Sequence, residues 1–202
     1  MNQKELIKHL IASNVLKSES ILSAFENINR ADFVLEEHSH EAYEDHPLPI
    51  GFGQTISQPT TVAFMLELLQ PKQSDKILDV GTGSGWTTTL LAKIVGPRGK
   101  VFGVEIIPEL VELGKKNLLK YKFLNAKIFQ AGEKLGLPGE APFDKILVSA
   151  AGENLPEDLV AQLKVGGRMV LPIKNSIWKI DKISETETSN EEFPGFAFVP
   201  LK

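Results

Sequence analysis

"ILDVGTGSGW", residues 77 to 86, decides the fold. Ile77, Leu78 and Val80 make a short apolar run that stops at three glycines spaced two apart, so a buried strand is expected to end in a tight turn. A turn that leaves a strand and opens a helix presents backbone N–H groups to a ligand at the edge of a parallel sheet. Gly81, Gly83 and Gly85 give G-x-G-x-G, whereas the dinucleotide fingerprint places its last glycine one position later, where Trp86 stands. A bulky residue there obstructs the close packing that a dinucleotide fold needs.

Two acids sharpen the ligand. Asp79 lies two residues before Gly81, near the strand end. A carboxylate beside a pyrophosphate would set like charges face to face, but it suits a cationic amino group. Glu105 closes the next apolar run, "KVFGVE" at 100–105, where an acid can take both hydroxyls of a ribose. Its alternative role is a solvated acid leading into the following helix. Taken together, Asp79 and Glu105 favour a nucleoside with an amino-acid tail, which is S-adenosyl-L-methionine, over NAD.

The pattern continues in both directions. Pro108 opens a helix with Leu110, Val111 and Leu118 apolar. Further strands are expected over 126–131, 143–151 and "GGRMVLPI", with a helix over 156–164 between the last two. Alternating strands and helices predict an α/β fold: a doubly wound, mostly parallel sheet with helices on both faces. The tail breaks the alternation. "WKIDKIS" and "GFAFVPLK" flank a polar run and are expected to form an antiparallel edge pair. Upstream, residues 1 to about 29 read as two short amphipathic helices, with Ser18 as the cap of the second. Pro59 is placed to start another, with Val62, Met65, Leu66 and Leu69 as its apolar stripe.

Composition narrows the function classes. The 202 residues, 42% of them hydrophobic, suffice for one domain over 1–202, with 1–58 an N-terminal helical and active-site-loop elaboration and 59–202 the Rossmann-like core. The absence of cysteine excludes a disulfide framework, a zinc-thiolate site and a catalytic thiol. The four histidines show no further ligand pattern, so no metal is expected. A net charge of −4, with scattered Lys and Arg, argues against nucleic acid as the partner. Charges interrupt the N-terminal segment too often for a signal peptide, and no apolar run approaches a membrane span. A cytoplasmic monomer is the expectation.

"PLPIGFGQTISQP", residues 47 to 59, carries little charge, yet its prolines and glycines bar a helix or a central strand. This stretch, with "RADFV", "ILDVGTGSGW", "APFDKILVSAA", "LPEDLVAQLKVGGRMVLPI" and "FVPL", resembles the protein-L-isoaspartyl O-methyltransferases in order and spacing, over about residues 5 to 201. The glycine motif is common to many methyltransferases; "GQTISQP" is the family-specific part. The resemblance implies methyl transfer from S-adenosylmethionine to the α-carboxylate left free in an isoaspartyl residue of a damaged protein or peptide. The ester then cyclises to a succinimide, which can reopen to normal aspartate.

By the same resemblance the 47–59 loop covers the active site. Ser57 matches the active-site serine, with Thr55 beside it. Ile56, Asp79, Gly81, Thr82, Gly83, Gly85, Glu105, Ile106, Gly132 and Glu133 fall where the cofactor is bound. A carboxylate with a pKa near ~4 is already ionised at neutral pH, so the reaction needs orientation and exclusion of water more than a base. A strong cation on the carboxylate would oppose transfer, because the nucleophile loses negative charge on the way to the transition state.

The chain departs from the family in places. Relatives carry Gly-Asp-Gly after the third strand, with the acid near the adenine, but here Ala131-Gly132-Glu133 stands. By the resemblance, Glu133 is expected to reach the same amino group after a small shift. Lys174 replaces the usual glycine after the fifth strand, and Thr60 follows "SQP" where a larger residue is commoner. These departures leave two alternatives: an enzyme of this fold acting on another peptide carboxylate, and a noncatalytic nucleoside-binding module. A nucleic-acid amino methyltransferase is disfavoured, because "VSAAGENLP" stands where its Asn/Asp-Pro-Pro-aromatic motif would be.

Overall fold

The computed structural model describes residues 1–201. Helices α1 (Gln3–Ala12) and α2 (Glu19–Asn27) come first. Asn2 and Glu5 close a reciprocal capping box on α1. Ser18 does sit at the N-cap of α2, but its hydroxyl makes no cap bond. It donates instead to Glu67 Oε2 at 2.7 Å, while Glu67 Oε1 accepts the Lys17 and Ser18 N–H groups. A carboxylate distant in sequence thus supplies the cap, which no local pattern announces.

Two 3-10 turns follow, Arg30–Phe33 and Glu36–Glu41. The proline- and glycine-rich stretch is then a hairpin rather than an irregular loop: β1 (Leu48–Gly51) pairs antiparallel with β2 (Gln54–Ile56). Pro49 is tolerated because this is a separate two-stranded sheet, whose strands are both edges. Helix α3 (Pro59–Leu69) starts at its proline and buries Val62, Met65, Leu66 and Leu69.

The main sheet is built from β3 (Lys76–Val80), β4 (Lys100–Glu105), β5 (Ala126–Gln130), β6 (Phe143–Val148), β7 (Leu163–Ile173), β8 (Ser176–Lys182) and β9 (Thr188–Pro194). Helices α4 (Trp86–Val95), α5 (Pro108–Leu119) and α6 (Glu157–Gln162) connect them. In space the strands run β5-β4-β3-β6-β7-β8-β9. The first five are parallel and the last two join antiparallel. Successive strands step outward from β3 to β5, and β6 then returns to the other side of β3. The glycine turn after β3 therefore lies at the point where strand order reverses, where open α/β sheets bind ligands.

The antiparallel edge pair is present, but its second member is the polar run itself, "TSNEEFP", and not "GFAFVPLK". An edge strand needs few apolar residues, and charge along it discourages pairing with another chain. The apolar tail turns back over the strand ends instead. Ala151 N–H donates to Val199 O and Leu201 N–H to Ala151 O, both at 2.8 Å.

Side-chain alternation sorts the sheet into two cores. Ile77, Val101, Leu147, Val170 and Ile177 face α1 to α5. Leu78, Val80, Phe102, Ile146, Met169 and Ile180 face the opposite side, which α6 covers through Leu159. Trp178 packs partly buried against this second core. Helices cover both faces as expected, with most of them on the first.

Candidate active site

Asp79 shares the face of Ile77, so it points under α4 and is 0% exposed. The hydroxyls of Thr87 and Thr88 donate to its Oδ2 at 2.7 and 2.6 Å, and Oδ1 has no partner. Burial pushes the carboxyl above its ordinary pKa, against the hydroxyls of Thr88, Thr87 and Thr82 and with some help from Glu105. The run "TTT" at 87–89 is poor helix material, but in the first turn Thr87 and Thr88 serve this carboxylate, while Thr89 donates its hydroxyl to Gly85 O at 2.7 Å. The adjacent pair Thr87-Thr88 was the available sequence signal for the network.

Above Asp79 runs the glycine turn. Gly83 has φ +52°, and a Cβ there would meet Ile50 Cδ1 at 3.0 Å, so the β1–β2 hairpin lies directly against the turn. Gly85 has φ +89°, and a Cβ there would meet Gly114 O at 3.0 Å. Gly85 therefore gives the close approach of α4 to α5 and to Ile128 of β5, one position before the last glycine of a dinucleotide fingerprint, which leaves Trp86 free to be bulky. Trp86 is buried, edge-on to Phe25 at 5.7 Å.

Glu105 is buried at the end of β4 and is held by three backbone N–H groups. Ile106 and Ile107 donate to Oε1 at 2.8 and 3.0 Å, and Gly83 donates to Oε2 at 2.9 Å. The freer acceptor capacity is on Oε2. This carboxylate faces a cleft of about 520 Å³.

The cleft brings most of the sequence-predicted site together. Thr55, Ile56 and Ser57 form one wall from the hairpin, and Gly81, Thr82 and Gly83 line the cleft from the glycine turn. Glu105, Ile106, Gly132 and Glu133 line the far side. Asp79 and Gly85 lie outside the lining, the first beneath the turn and the second in the helix contact. The structure adds residues the sequence did not single out: Ile50, Thr87, Asp158 and the returning tail Val199–Leu201. The tail is brought there by its hydrogen bonds to Asn175 and Ala151 and by the packing of Phe196, Phe198 and Leu201 on the two cores.

This arrangement has a strand-end acid under a glycine turn, an acid fixed beside it and a hydroxyl-bearing hairpin opposite. The family model "Protein-L-isoaspartate(D-aspartate) O-methyltransferase" matches residues 1–202. The chain belongs to the protein-L-isoaspartate(D-aspartate) O-methyltransferase family. It is 43% identical to the protein-L-isoaspartate O-methyltransferase of Ignicoccus hospitalis, over 98% of this chain and 96% of that one. The corresponding Methanopyrus kandleri protein is 40% identical, over 98% and 90%. Among solved structures, a putative protein-L-isoaspartate O-methyltransferase from Plasmodium falciparum, in complex with S-adenosyl-L-homocysteine, superposes with a TM-score of 0.89 at 26% identity, covering 100% of this chain and 99% of that one. The Ala131-Gly132-Glu133 stretch lines the cleft, with Glu133 as its acid in place of the expected aspartate. Lys174, in the usual glycine's place, takes the left-handed conformation at φ +53° and donates its N–H to Gly152 O at 2.9 Å. The turn keeps a glycine's geometry without the glycine.

Proposed function

We propose that this protein transfers the methyl group of S-adenosylmethionine to the free α-carboxylate of L-isoaspartyl residues in damaged proteins and peptides, leaving S-adenosylhomocysteine and a methyl ester. The observation that carries this reading is that one cleft is lined both by the Thr55–Ser57 hairpin wall and by the Gly81–Gly83 and Glu105 wall. The family membership points the same way.

The residues present fit the cofactor. Asp79 has a buried carboxylate oxygen without a partner, suited to act on a cationic amino group from beneath the turn. Glu105 Oε2 has room for a ribose hydroxyl. The 131–133 segment and exposed Ile106 border the space for a base. When bound, S-adenosylmethionine supplies an electrophilic methyl group on a sulfonium.

The chain's own residues then orient and shield. Ser57 and Thr55 present hydroxyls to the substrate carboxylate, which hold it without the strong attraction of a cation. Ile50, Ile56 and Leu201 exclude water around it, which raises the reactivity of a weak, well-solvated nucleophile. No proton has to move, since the carboxylate is ionised at neutral pH.

We also read residues 1–202 as one methyltransferase domain, with 1–58 elaborating the core, which the packing of α1 and α2 into the first core supports. The enzyme is taken as a cytoplasmic monomer, and its net charge of −4 argues against a nucleic-acid partner. Among the described residues, no helix is long and apolar enough to cross a membrane.

The test is methyl transfer from labelled S-adenosylmethionine to a matched pair of peptides, one isoaspartyl and one aspartyl. Label in the isoaspartyl peptide alone is expected. No label in either, with cofactor binding retained, would favour another substrate carboxylate or a binding module. Ser57→Ala should lower kcat by about tenfold or more while leaving affinity for S-adenosylhomocysteine unchanged. Equal activity in variant and parent would sink the role given to Ser57.

A further inference from the structure

Arg30 is 2% exposed, yet among the described residues no carboxylate lies within ion-pair distance of it. Its guanidinium donates only to backbone carbonyls. Nη1 reaches Ala42 O at 2.7 Å and Glu44 O at 3.4 Å; Nη2 reaches His46 O at 3.0 Å and Ser57 O at 3.1 Å. Nε has no partner. The group lies 5.3 Å from the ring centre of Trp86, which lines the cleft. Burial lowers its pKa to about 10, with the field of Asp45 acting in the other direction, so it stays charged at neutral pH.

A buried cation held by neutral oxygens is a poor way to gain stability. An apolar residue of similar size would fill the space without the desolvation cost. What an apolar residue could not do is tie separate stretches of backbone together. One planar fork spans the 42–46 segment and the backbone of Ser57, from which the hairpin wall leads into α3. The far side of the same group rests on Trp86 at the start of α4, beside the glycine turn. Arg30 thus bridges the substrate-side and cofactor-side walls without entering the cleft.

We infer that Arg30 is a positioning residue for methyl transfer, fixing the backbone at Ser57 so that the Ser57 hydroxyl meets the substrate carboxylate. The inference rests on the role proposed for Ser57. Lysine cannot substitute fully, because a single ammonium cannot span the carbonyls that the guanidinium fork reaches. Arg30 makes no hydrogen bond to Glu105 or Gly83, so cofactor affinity should change little.

The test is a double-mutant cycle of Arg30→Lys and Ser57→Ala, reading kcat on an isoaspartyl peptide and S-adenosylhomocysteine affinity, at a temperature where every variant is folded. Arg30→Lys alone should lower kcat by about tenfold to a hundredfold, with affinity within about threefold of the parent. In the Ser57→Ala background the same change should cost less than about twofold, since a residue acting through Ser57 has nothing left to position. Arg30→Met, which fills the space without a buried charge, gives the same reading where the lysine variant does not fold. Parent-level kcat in either Arg30 variant, or an undiminished loss in the Ser57→Ala background, would overturn the inference. Parent-level kcat in Ser57→Ala alone would instead remove the assignment of Ser57.

Discussion

At Asp79 a carboxylate with one unpartnered oxygen sits under a turn whose neighbours are hydroxyls and backbone. Because burial raises its pKa in the folded state, its stabilising contribution is present below the unfolded value and is lost as pH rises through the folded one. The ligand-free protein therefore bears a penalty there at neutral pH. Asp79→Asn, which keeps an acceptor for Thr87 and Thr88, should make the ligand-free protein more stable than the parent, with the gap widening from about pH 4 upward. Urea melts at pH 5 and pH 8 would show it, and a gap that shrinks with pH contradicts the account. The same variant should bind S-adenosylhomocysteine more weakly, because the ligand's amino group loses its counter-charge. Glu105 differs: three N–H groups hold it, and its work is to accept hydroxyls. Glu105→Ala should weaken S-adenosylhomocysteine by about tenfold to a hundredfold, the worth of a hydrogen bond to a charged group. Unchanged binding by calorimetry would remove Glu105 from the ribose site.

Among the elements, the β3-turn-α4 unit was the most legible and β9 the least. An apolar run, a glycine turn and a helix have a period and a stop signal that any reading of the chain finds. "TSNEEFP" has neither, because an edge strand is defined by the neighbour it pairs with rather than by its own pattern. The hairpin was legible as a site and not as a hairpin. Its tip, Gly51-Phe52-Gly53, takes three consecutive left-handed residues, which the sequence shows only as turn propensity. Helix contact gives a test at this scale. Gly85→Ala places a methyl 3.0 Å from Gly114 O on a backbone at φ +89°. A destabilisation of about 1–3 kcal/mol is expected from strain and overpacking together. Thermal melts would measure it, and a variant as stable as the parent would show that α4 and α5 are not held at their closest approach.

Across the whole molecule the N-terminal segment is fastened to the elements that carry the glycine turn. Tyr121 donates to Asp32 Oδ2 at 2.6 Å and accepts from Asn29 N–H at 2.8 Å, while Phe25 packs on Trp86. The cleft itself is lined by segments from Ile50 to Leu201, so a ligand there would be coupled to most of the fold. S-adenosylhomocysteine at about 100 times its Kd should add roughly 2.7 kcal/mol, which for a chain of this length raises Tm by roughly 5 to 10 °C. A shift near zero under saturation would mean that the ligand contacts a part that unfolds separately.

By itself the sequence determined the parallel α/β architecture, the glycine turn and the acids that accompany it, because periodicity, glycine spacing and strand-end charge are local properties of the chain. It also marked Ser57 and Thr55 through a motif. Only the tertiary structure decided the rest. Asp79 proved to lie beneath the cleft rather than in its wall, Val199–Leu201 came back to line it, Glu67 capped a distant helix and Arg30 reached the backbone of Ser57. Each of these depends on which segments meet after the chain has closed, and a buried polar group takes whatever partner that closure brings within 3 Å or so.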